Sequence, residues 1–321
     1  MDYKQAGVDI HKAEHWVDYI KDCLVTNNVN LLSKVGDYAG IYKINDSTAI
    51  AATTDGVGTK IKLAMDAGIH NGIGQDLVAM NVNDLLCVGA TPLFFLDYIA
   101  HGKIDETIKK EIFVSIVKAC SEARMLLLGG ETAQMSDFYD NGKYDLAGFA
   151  VGLVHPNKII TGNKIKPGDV ILGLPSTGPH SNGYTLIRKL FDTKEKGSIQ
   201  KLLTPTRIYV KEIINIINDL QDKVHGIAHI TGSGFRNLFR LTEYGMDITL
   251  REIPEIFQEI KRRADIDYTT MFETFNMGWG MVVIVEEGTV LDKEFSVIGR
   301  INESSNIHIN FGTEKVLLTR N

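Results

Sequence analysis

The alternation of strand and helix patterns constrains the first half of this chain more than any other feature. Stretches rich in β-branched, aromatic and aliphatic residues predict strands at 48–54, 93–100, 125–128 and 144–155. Helical periodicity at about 74–88 and 105–124 lies between them. Strands that are separated by helices and end in a strand pair predict an α/β or α+β layer.

A second domain is predicted after residue 160. The composition between residues 156 and 168 turns to Asn, Lys, Gly and Pro, which is typical of a domain boundary. Further strands are predicted at 169–174, 246–250, 280–285, 295–301 and 306–311. Further helices are predicted at 181–191, 206–220 and 234–244. Because 321 residues exceed one ordinary core, we predict two mixed domains, 1–160 and 161–321.

The loop after the first predicted strand has the residue types of a phosphate site. Asp55 stands at a strand end, where a carboxylate can hold a hard divalent cation. Gly56 and Gly58 let backbone N–H groups approach phosphate oxygens, and Lys60 adds a compact positive charge. No Walker A string occurs. Taken alone, an ordinary Asp-Gly turn is the simpler interpretation.

The helix predicted at 74–88 has one apolar arc and one polar arc. Asp76, Asn83 and Asp84 fall within about 100° of each other on the polar arc. Two carboxylates and an amide aimed the same way have the chemistry of magnesium ligands. The alternative is that these side chains simply face water, as charged helix faces usually do.

Two further segments place polar groups next to glycine. The strand predicted to end near residue 128 is followed by two glycines and Glu131, which predicts a second acid at a strand end. The segment 176–184 follows a strand and opens a helix, where Ser181 or Asn182 would act as the N-cap and leave N–H groups for a phosphate. The alternative is an ordinary cap beside a packed or exposed His180.

Composition narrows the classes of partner and location. A net charge of −6 argues against nucleic acid as the main partner, since phosphate-backbone binding needs a basic surface. Three widely spaced cysteines form neither a metal motif nor a disulfide framework, which fits a reducing cytoplasm. The sequence shows neither an apolar signal region nor an apolar stretch long enough to span a membrane. We therefore expect a cytoplasmic protein that binds neither nucleic acid nor membrane.

In combination, these segments resemble one enzyme family closely. The chain is similar to the phosphoribosylformylglycinamidine cyclo-ligases, also called aminoimidazole ribonucleotide synthetases, from near its N-terminus to about residue 285. The matching segments occur in the same order: 3–10, 55–60, 76–84, 92–98, 129–132, 145–149, 178–184 and 275–280.

The resemblance implies a fold, a reaction and an assembly. Its N-terminal domain would be a mixed sheet-plus-helix layer that pairs into a dimeric barrel, flanked by a C-terminal α/β domain. The homodimer would use ATP and Mg²⁺ to close the ring of formylglycinamidine ribonucleotide, releasing ADP and phosphate. ATP would activate the formamide oxygen as a phosphate ester, and the amidine nitrogen would then attack.

Site residues also follow from the resemblance, position by position. It implies that the catalytic residues are Asp55, Lys60, Asp84 and Glu131. The implied magnesium ligands are Asp55, Asp84, Asp76 and Glu131. The implied nucleotide contacts are Gly56, Gly58, Thr59, Asp76, Asn83 and Asp9. The implied ribonucleotide contacts are His180, Ser181, Asn182, Gly183 and His229.

Three departures from the family pattern leave alternatives open. Gln134 replaces a usual glutamate, Ser233 a usual glycine, and Trp279 a smaller aliphatic residue. One alternative is another enzyme of the superfamily, such as thiamine-monophosphate kinase, selenophosphate synthetase, a hydrogenase maturation factor or formylglycinamidine ribonucleotide synthetase. The other is a non-catalytic nucleotide-binding protein, which only Gln134 favours.

Overall fold

Two β-sheets organise the part of the chain that the computed structural model describes, residues 28–289 and 294–320 with residues 19, 20 and 23. The first sheet has the order β1-β2-β5-β3-β4, in which only β3 and β4 are parallel. Its strands are β1 (Gly40–Asn45), β2 (Thr48–Gly56), β3 (Thr91–His101), β4 (Leu126–Gln134) and β5 (Tyr144–Val154). Its helices are α1 (Lys60–Ala67), α2 (Ile73–Cys87) and α3 (Glu106–Glu122).

The second sheet has the order β12-β11-β8-β10-β6-β9-β7, and only β11 and β8 are parallel. Its strands are β6 (Val170–Pro175), β7 (Val224–His229), β8 (Gly245–Leu250), β9 (Trp279–Val285), β10 (Ser296–Asn302), β11 (Ile307–Phe311) and β12 (Glu314–Leu318). Its helices are α4 (Tyr184–Leu190), α5 (Lys196–Leu202), α6 (Val210–Leu220), α7 (Glu255–Ala264) and α8 (Tyr268–Thr274). Short 3₁₀ helices occur at Pro156–Lys158, Gln221–Lys223 and Gly234–Arg240.

The predicted fold class, with mixed sheet and helix in both halves, is confirmed. The sequence pattern missed the strands β1, β7 and β12 and the helices α5, α7 and α8, and the helix predicted at 234–244 is a 3₁₀ helix. The boundary predicted at residue 160 and the dimeric barrel stay predictions. No helix within the described ranges is long and apolar enough to span a bilayer.

Strand β4 corrects one local prediction. We expected it to stop near residue 128, but it runs on through Gly129 and Gly130 to Gln134, in parallel register with β3. A side chain at Gly130 would collide with Asp97 on the neighbouring strand. These glycines therefore permit close strand packing instead of ending the strand.

The polar arc of α2 faces the second domain. Asp76 accepts hydrogen bonds from the Thr206 N–H at 2.8 Å and the Thr206 hydroxyl at 2.6 Å. Asn83 donates to the Arg207 carbonyl at 2.9 Å and accepts from the Tyr209 N–H at 3.2 Å. The side chains of Asp76 and Asn83 are fully buried. The predicted polar face is therefore real, but protein covers much of it instead of water.

A buried ion pair lies at the centre of this junction. The Lys60 ammonium at the start of α1 donates to Asp76 Oδ1 at 2.8 Å and to the Thr204 carbonyl at 2.7 Å, and both charged side chains are 0% exposed. Burial lowers the pKa of Lys60 and raises the pKa of Asp76, while their mutual attraction opposes both shifts. Lys60 thus joins both domains, and its role as a phosphate contact stays a prediction.

Removing Lys60 alone should destabilise the protein strongly. In Lys60→Met the Asp76 carboxylate stays buried without its counter-charge, so we expect the free energy of unfolding to fall by about 3–5 kcal/mol. In the double variant Lys60→Met/Asp76→Leu both charges are gone, and the loss should be smaller. Denaturant unfolding monitored by circular dichroism measures both changes.

The exposed pair between Lys62 and Asp66 on the same helix provides the matched control, with side chains 35% and 38% exposed. Lys62→Met should cost no more than about 1 kcal/mol. Equal losses in Lys60→Met and Lys62→Met would contradict a special role for the buried pair.

Candidate active site

Asp55 lies at the end of β2, beside Gly148 of β5 in the sheet register. Its Oδ1 accepts a hydrogen bond from the Gly56 N–H at 2.7 Å, and its carbonyl accepts one from the Asn81 amide at 3.2 Å. Partial burial and, next, the nearby charge of Asp84 raise the pKa of Asp55 to about 6. Two carboxylates from different elements therefore repel each other at this point.

The second acid of this pair connects the two domains. Asp84 on α2 accepts a hydrogen bond at 3.0 Å from Nδ1 of His229, at the end of β7. The His229 ring is 0% exposed and Asp84 is 19% exposed, so the carboxylate keeps access to solvent. Because the Nδ1–H group of His229 donates its hydrogen bond to Asp84, Nε2 carries the lone pair and can accept. The side-chain nitrogen of Asn83 lies 3.5 Å from Nε2.

A second histidine packs beside the first. The ring centroids of His180 and His229 are 6.4 Å apart. The Thr177 N–H donates to His180 Nε2 at 3.3 Å, which places the ring proton on Nδ1. That nitrogen is buried and has no partner among the described residues. Burial, followed by the neighbouring His229, lowers the pKa of His180 well below its usual range, so the ring is neutral.

The loop before α4 differs from its predicted capping geometry. The N-cap is Gly183, at φ 77°, and no side chain caps the helix. A side chain at Gly183 would collide with the Phe275 ring. Ser181 instead contacts Asp76 at 3.5 Å and Thr206 at 3.2 Å through its hydroxyl. The prediction that Ser181 or Asn182 caps this helix is wrong.

Asn182 nevertheless reaches the same junction. Its side-chain nitrogen is buried and has no partner within the described ranges. A side chain built on Gly232 would approach Asn182 Oδ1 at 3.5 Å, so the loop before α4 and the loop after β7 come together here. Buried donors without partners are uncommon in folded proteins and are typical of ligand-binding positions.

The expectation that four acids gather around one cation is corrected. Among the described residues no group of three or more His, Cys, Asp or Glu side chains could hold a metal ion. Asp76 is already bound to Lys60 inside the protein, and Glu131 is exposed on the edge strand β4. Asp55 and Asp84 remain the two neighbouring carboxylates.

The other residues predicted to contact the nucleotide differ in their surroundings. Gly58 adopts φ 71°, a left-handed conformation that glycine allows, just before α1. The Thr59 hydroxyl lies 3.1 Å from that of Thr185 on α4, so this loop also contacts the second domain. Asn83 is occupied by the backbone of residues 207 and 209. Asp9 lies outside the described residues.

Sequence reasoning missed Thr206 and Asn81. Thr206 gives two hydrogen bonds to Asp76, and Asn81 ties α2 to the Asp55 backbone. A Thr-Pro-Thr segment and a single amide on a helix have no spacing that predicts such contacts. Their contacts are visible only when the structure shows which polar side chains are buried between the elements.

The three departures from the family pattern make local contacts of their own. Gln134 is exposed and contacts Ser136, Ser233 adopts a left-handed φ of 75°, and Trp279 packs on Gly173. None of the three shares a hydrogen bond with Asp55, Asp84 or His229 in the described part of the chain.

Comparison with known proteins identifies both halves of the chain. A family model described as AIR synthase related protein, N-terminal domain, matches residues 36–154, and the corresponding C-terminal domain model matches residues 166–311. A protein of Alkaliphilus metalliredigens (strain QYMF) named phosphoribosylformylglycinamidine cyclo-ligase is 40% identical, over 94% of this chain and 96% of its own length. One of the same name from Alkaliphilus oremlandii (strain OhILAs) is 42% identical, over 98% and 99%.

A solved structure shares the fold at low identity. The structure titled AaThiL complexed with AMPPCP and TMP superposes with a TM-score of 0.68 at 15% identity, covering 98% of this chain and 97% of that one. This likeness supports the fold alone, whereas the family models and the relatives cover both domains at much closer similarity. The chain therefore belongs to the AIR synthase related family, and it contains that family's N-terminal and C-terminal domains in order.

Proposed function

We propose that this protein is an ATP-dependent cyclo-ligase that converts formylglycinamidine ribonucleotide to aminoimidazole ribonucleotide, ADP and phosphate in purine biosynthesis. The observation that carries the proposal is that relatives named for this reaction share about 40% of their residues across both domains. The convergence of Asp55, Asp84 and His229 at the domain junction supports it, because the acids come from one domain and the histidine from the other. A cytoplasmic location is part of the proposal.

The ATP site is proposed at the loop between β2 and α1. Gly58 is exposed there in a left-handed conformation that lets the backbone approach a phosphate, and the chain named AaThiL, which has the same fold, is complexed with AMPPCP. Lys60 is committed to Asp76, so phosphate binding rests on the backbone and on a cation. This division differs from the arrangement that the sequence pattern alone indicated.

Asp55 and Asp84 fit a Mg²⁺ ion. Their mutual repulsion contributes to the raised pKa of Asp55, and a divalent cation between them would relieve it. Mg²⁺ is commonly held by one or two carboxylates together with substrate phosphates and water, so a third acid is not required. When bound, the ion would neutralise charge on the phosphoryl group.

The ribonucleotide site is proposed at the loop before α4. The Nδ1–H of His180 and the side-chain N–H groups of Asn182, which have no partner within the described ranges, suit an oxygen-rich ligand. Ser181 lies between them and Asp76, which holds the loop against α2. The ligand's own acceptors would satisfy donors that are costly to leave buried and unpaired.

The chemistry that we propose has two steps. The formamide oxygen attacks the γ-phosphorus of ATP and ADP leaves, which turns a poor leaving group into a phosphate ester. The amidine nitrogen then attacks the activated carbon, the carbon–oxygen bond breaks, and phosphate leaves with loss of a proton from nitrogen. Holding the nitrogen beside the carbon lowers the barrier by up to about 7–11 kcal/mol in favourable intramolecular cases.

We also propose that two copies form the homodimer, with their first sheets facing each other. Large apolar side chains lie exposed on the strands of this sheet, at Tyr42, Ile44, Leu93, Leu126, Leu128 and Phe149. An exposed apolar sheet face of this kind is typical of a protein interface. Pairing the two sheets would also cover the open edge of β4.

The purified protein should release ADP only when formylglycinamidine ribonucleotide, ATP and Mg²⁺ are all present. A coupled assay for ADP, with the imidazole product detected separately, measures this dependence. Tight ATP binding without turnover would favour the non-catalytic alternative. ADP release driven by thiamine monophosphate would favour the kinase alternative instead.

Asp55→Asn should reduce kcat at least about 100-fold, because the variant loses a charge that holds the proposed cation. Its thermal midpoint should not fall, since the folded protein already disfavours the Asp55 charge. Asp66→Asn, at a partly exposed position on α1, is the control and should retain activity. Wild-type turnover in Asp55→Asn would remove the metal assignment.

The activity should depend on pH through Asp55. Its pKa is raised to about 6, so the carboxyl group is protonated below that pH and ionised above it. Only the ionised form can bind a cation, so kcat/KM should be retained above about pH 6 and fall as the pH drops through that value. A pH–rate profile measures this, with circular dichroism to confirm folding. A profile that stays flat to about pH 5 would contradict the assignment.

A further inference from the structure

We propose that the protein has a second ligand site, for a small phosphate monoester, at the seam between its domains. A cavity of about 710 Å³ lies there, which we call the seam cavity. Its walls come from both domains: Lys43 of β1 and the end of β5 on one side, and the end of α6 with His225 on the other. Its volume lies within the range of about 300–1,000 Å³ that is typical of small-molecule sites.

The seam cavity is distinct from the candidate active site. Strand β7 carries His225 at the cavity and His229 at the active site, four residues or about 13 Å further along. Strand β5 carries Val154 at the cavity, whereas Gly148, the neighbour of Asp55, lies about 20 Å away along the strand. The two sites therefore lie at separate positions along the same two strands.

The charge of the lining selects an anion. The charged side chains that line the cavity are Lys43, Lys158, Lys164 and one acid, Asp222. This local excess of positive charge stands out in a chain whose net charge is −6. A cleft lined by one sign of charge concentrates ligands of the opposite sign.

The lysines are available to a ligand. Lys164 contacts Asp222 at 3.2 Å, but these side chains are 54% and 87% exposed, and such surface pairs contribute little. Lys43 contacts Asp46, which is 99% exposed and equally replaceable. Lys158 has no ion-pair partner within the described ranges. A phosphate group could therefore recruit all three ammonium groups without breaking a buried contact.

Two histidines contribute ring nitrogens to the same cavity. The Asn157 N–H donates to His155 Nδ1 at 3.2 Å, which leaves the proton on Nε2 as a donor. His225 Nδ1 bonds to Asp169 Oδ2 at 2.7 Å, and both of these side chains are buried. That bond orients the ring and leaves Nε2, on its other side, without a partner in the described part of the chain.

Buried Asp169 lies behind His225, which lines the cavity. Asp169 Oδ2 also accepts from the Lys166 N–H at 3.0 Å, while its Oδ1 is buried without a partner among the described residues. A buried carboxylate with a missing hydrogen bond is costly to stability. Such a pair is typical of a histidine held in place for a ligand.

These features together favour a phosphate monoester of nucleotide or sugar-phosphate size. Three ammonium groups suit a phosphate dianion, and the side chains of Asn157, Asn163 and Asn218 offer donors and acceptors to a hydroxylated body. Because both domains line the cavity, a bound ligand would also connect them there.

Isothermal titration calorimetry with AMP and with ribose 5-phosphate tests the proposal. The full chain would be titrated with the candidate active site occupied by a non-hydrolysable ATP analogue, Mg²⁺ and formylglycinamidine ribonucleotide. We expect one molecule of at least one ester to bind per chain. Lys158→Glu should weaken that binding about tenfold or more, because it replaces attraction by repulsion at an exposed position.

Lys315→Glu is the matched control, since it makes the same charge change at an exposed position on β12, outside the cavity. It should leave the affinity unchanged. The proposal is overturned if neither ester binds, if Lys158→Glu binds as tightly as the unchanged protein, or if both variants weaken binding equally. Each of these outcomes is independent of whether the cyclo-ligase assay succeeds.

Discussion

The burial of charge between α2 and the second domain is the constraint on which the arrangement of this protein depends. Lys60 and Asp76 are fully buried, and the hydrogen bonds that compensate them come from Thr204 and Thr206 of the other domain. A buried ion pair is tolerated only when its remaining donors and acceptors are satisfied. The two domains therefore cannot separate without exposing or stranding these charges.

The same helix serves two purposes along its length. Asp76 near the start of α2 is enclosed by donors, whereas Asp84, about 12 Å further along, stays accessible to solvent and bonds to His229. Asp76 therefore holds the two domains together, whereas Asp84 stays available to a ligand. Because the helix is rigid, the contact at Asp76 also determines where Asp84 stands relative to Asp55.

The candidate site combines groups that the described residues leave unsatisfied. Asp55 is destabilised by its neighbour Asp84, and the buried nitrogens of His180 and Asn182 have no partner among the described residues. Each of these features costs folding free energy. Their concentration at one domain junction is expected of a binding site, where ligand supplies the missing charge and hydrogen bonds.

The sequence by itself determined the class of fold and the main strands and helices of the first domain, and it predicted which residues carry chemistry. It could do so because periodicity and glycine turns are local, and because the combined motifs are specific. It did not reveal that β4 continues through Gly130, since that depends on Asp97 of a neighbouring strand. Only the tertiary structure decided which polar side chains hold the two domains together and which stay accessible to solvent. Asp76 and Asp84 look alike on a helical wheel, and the contacts of Lys60 and Thr206, distant in sequence, separate their roles.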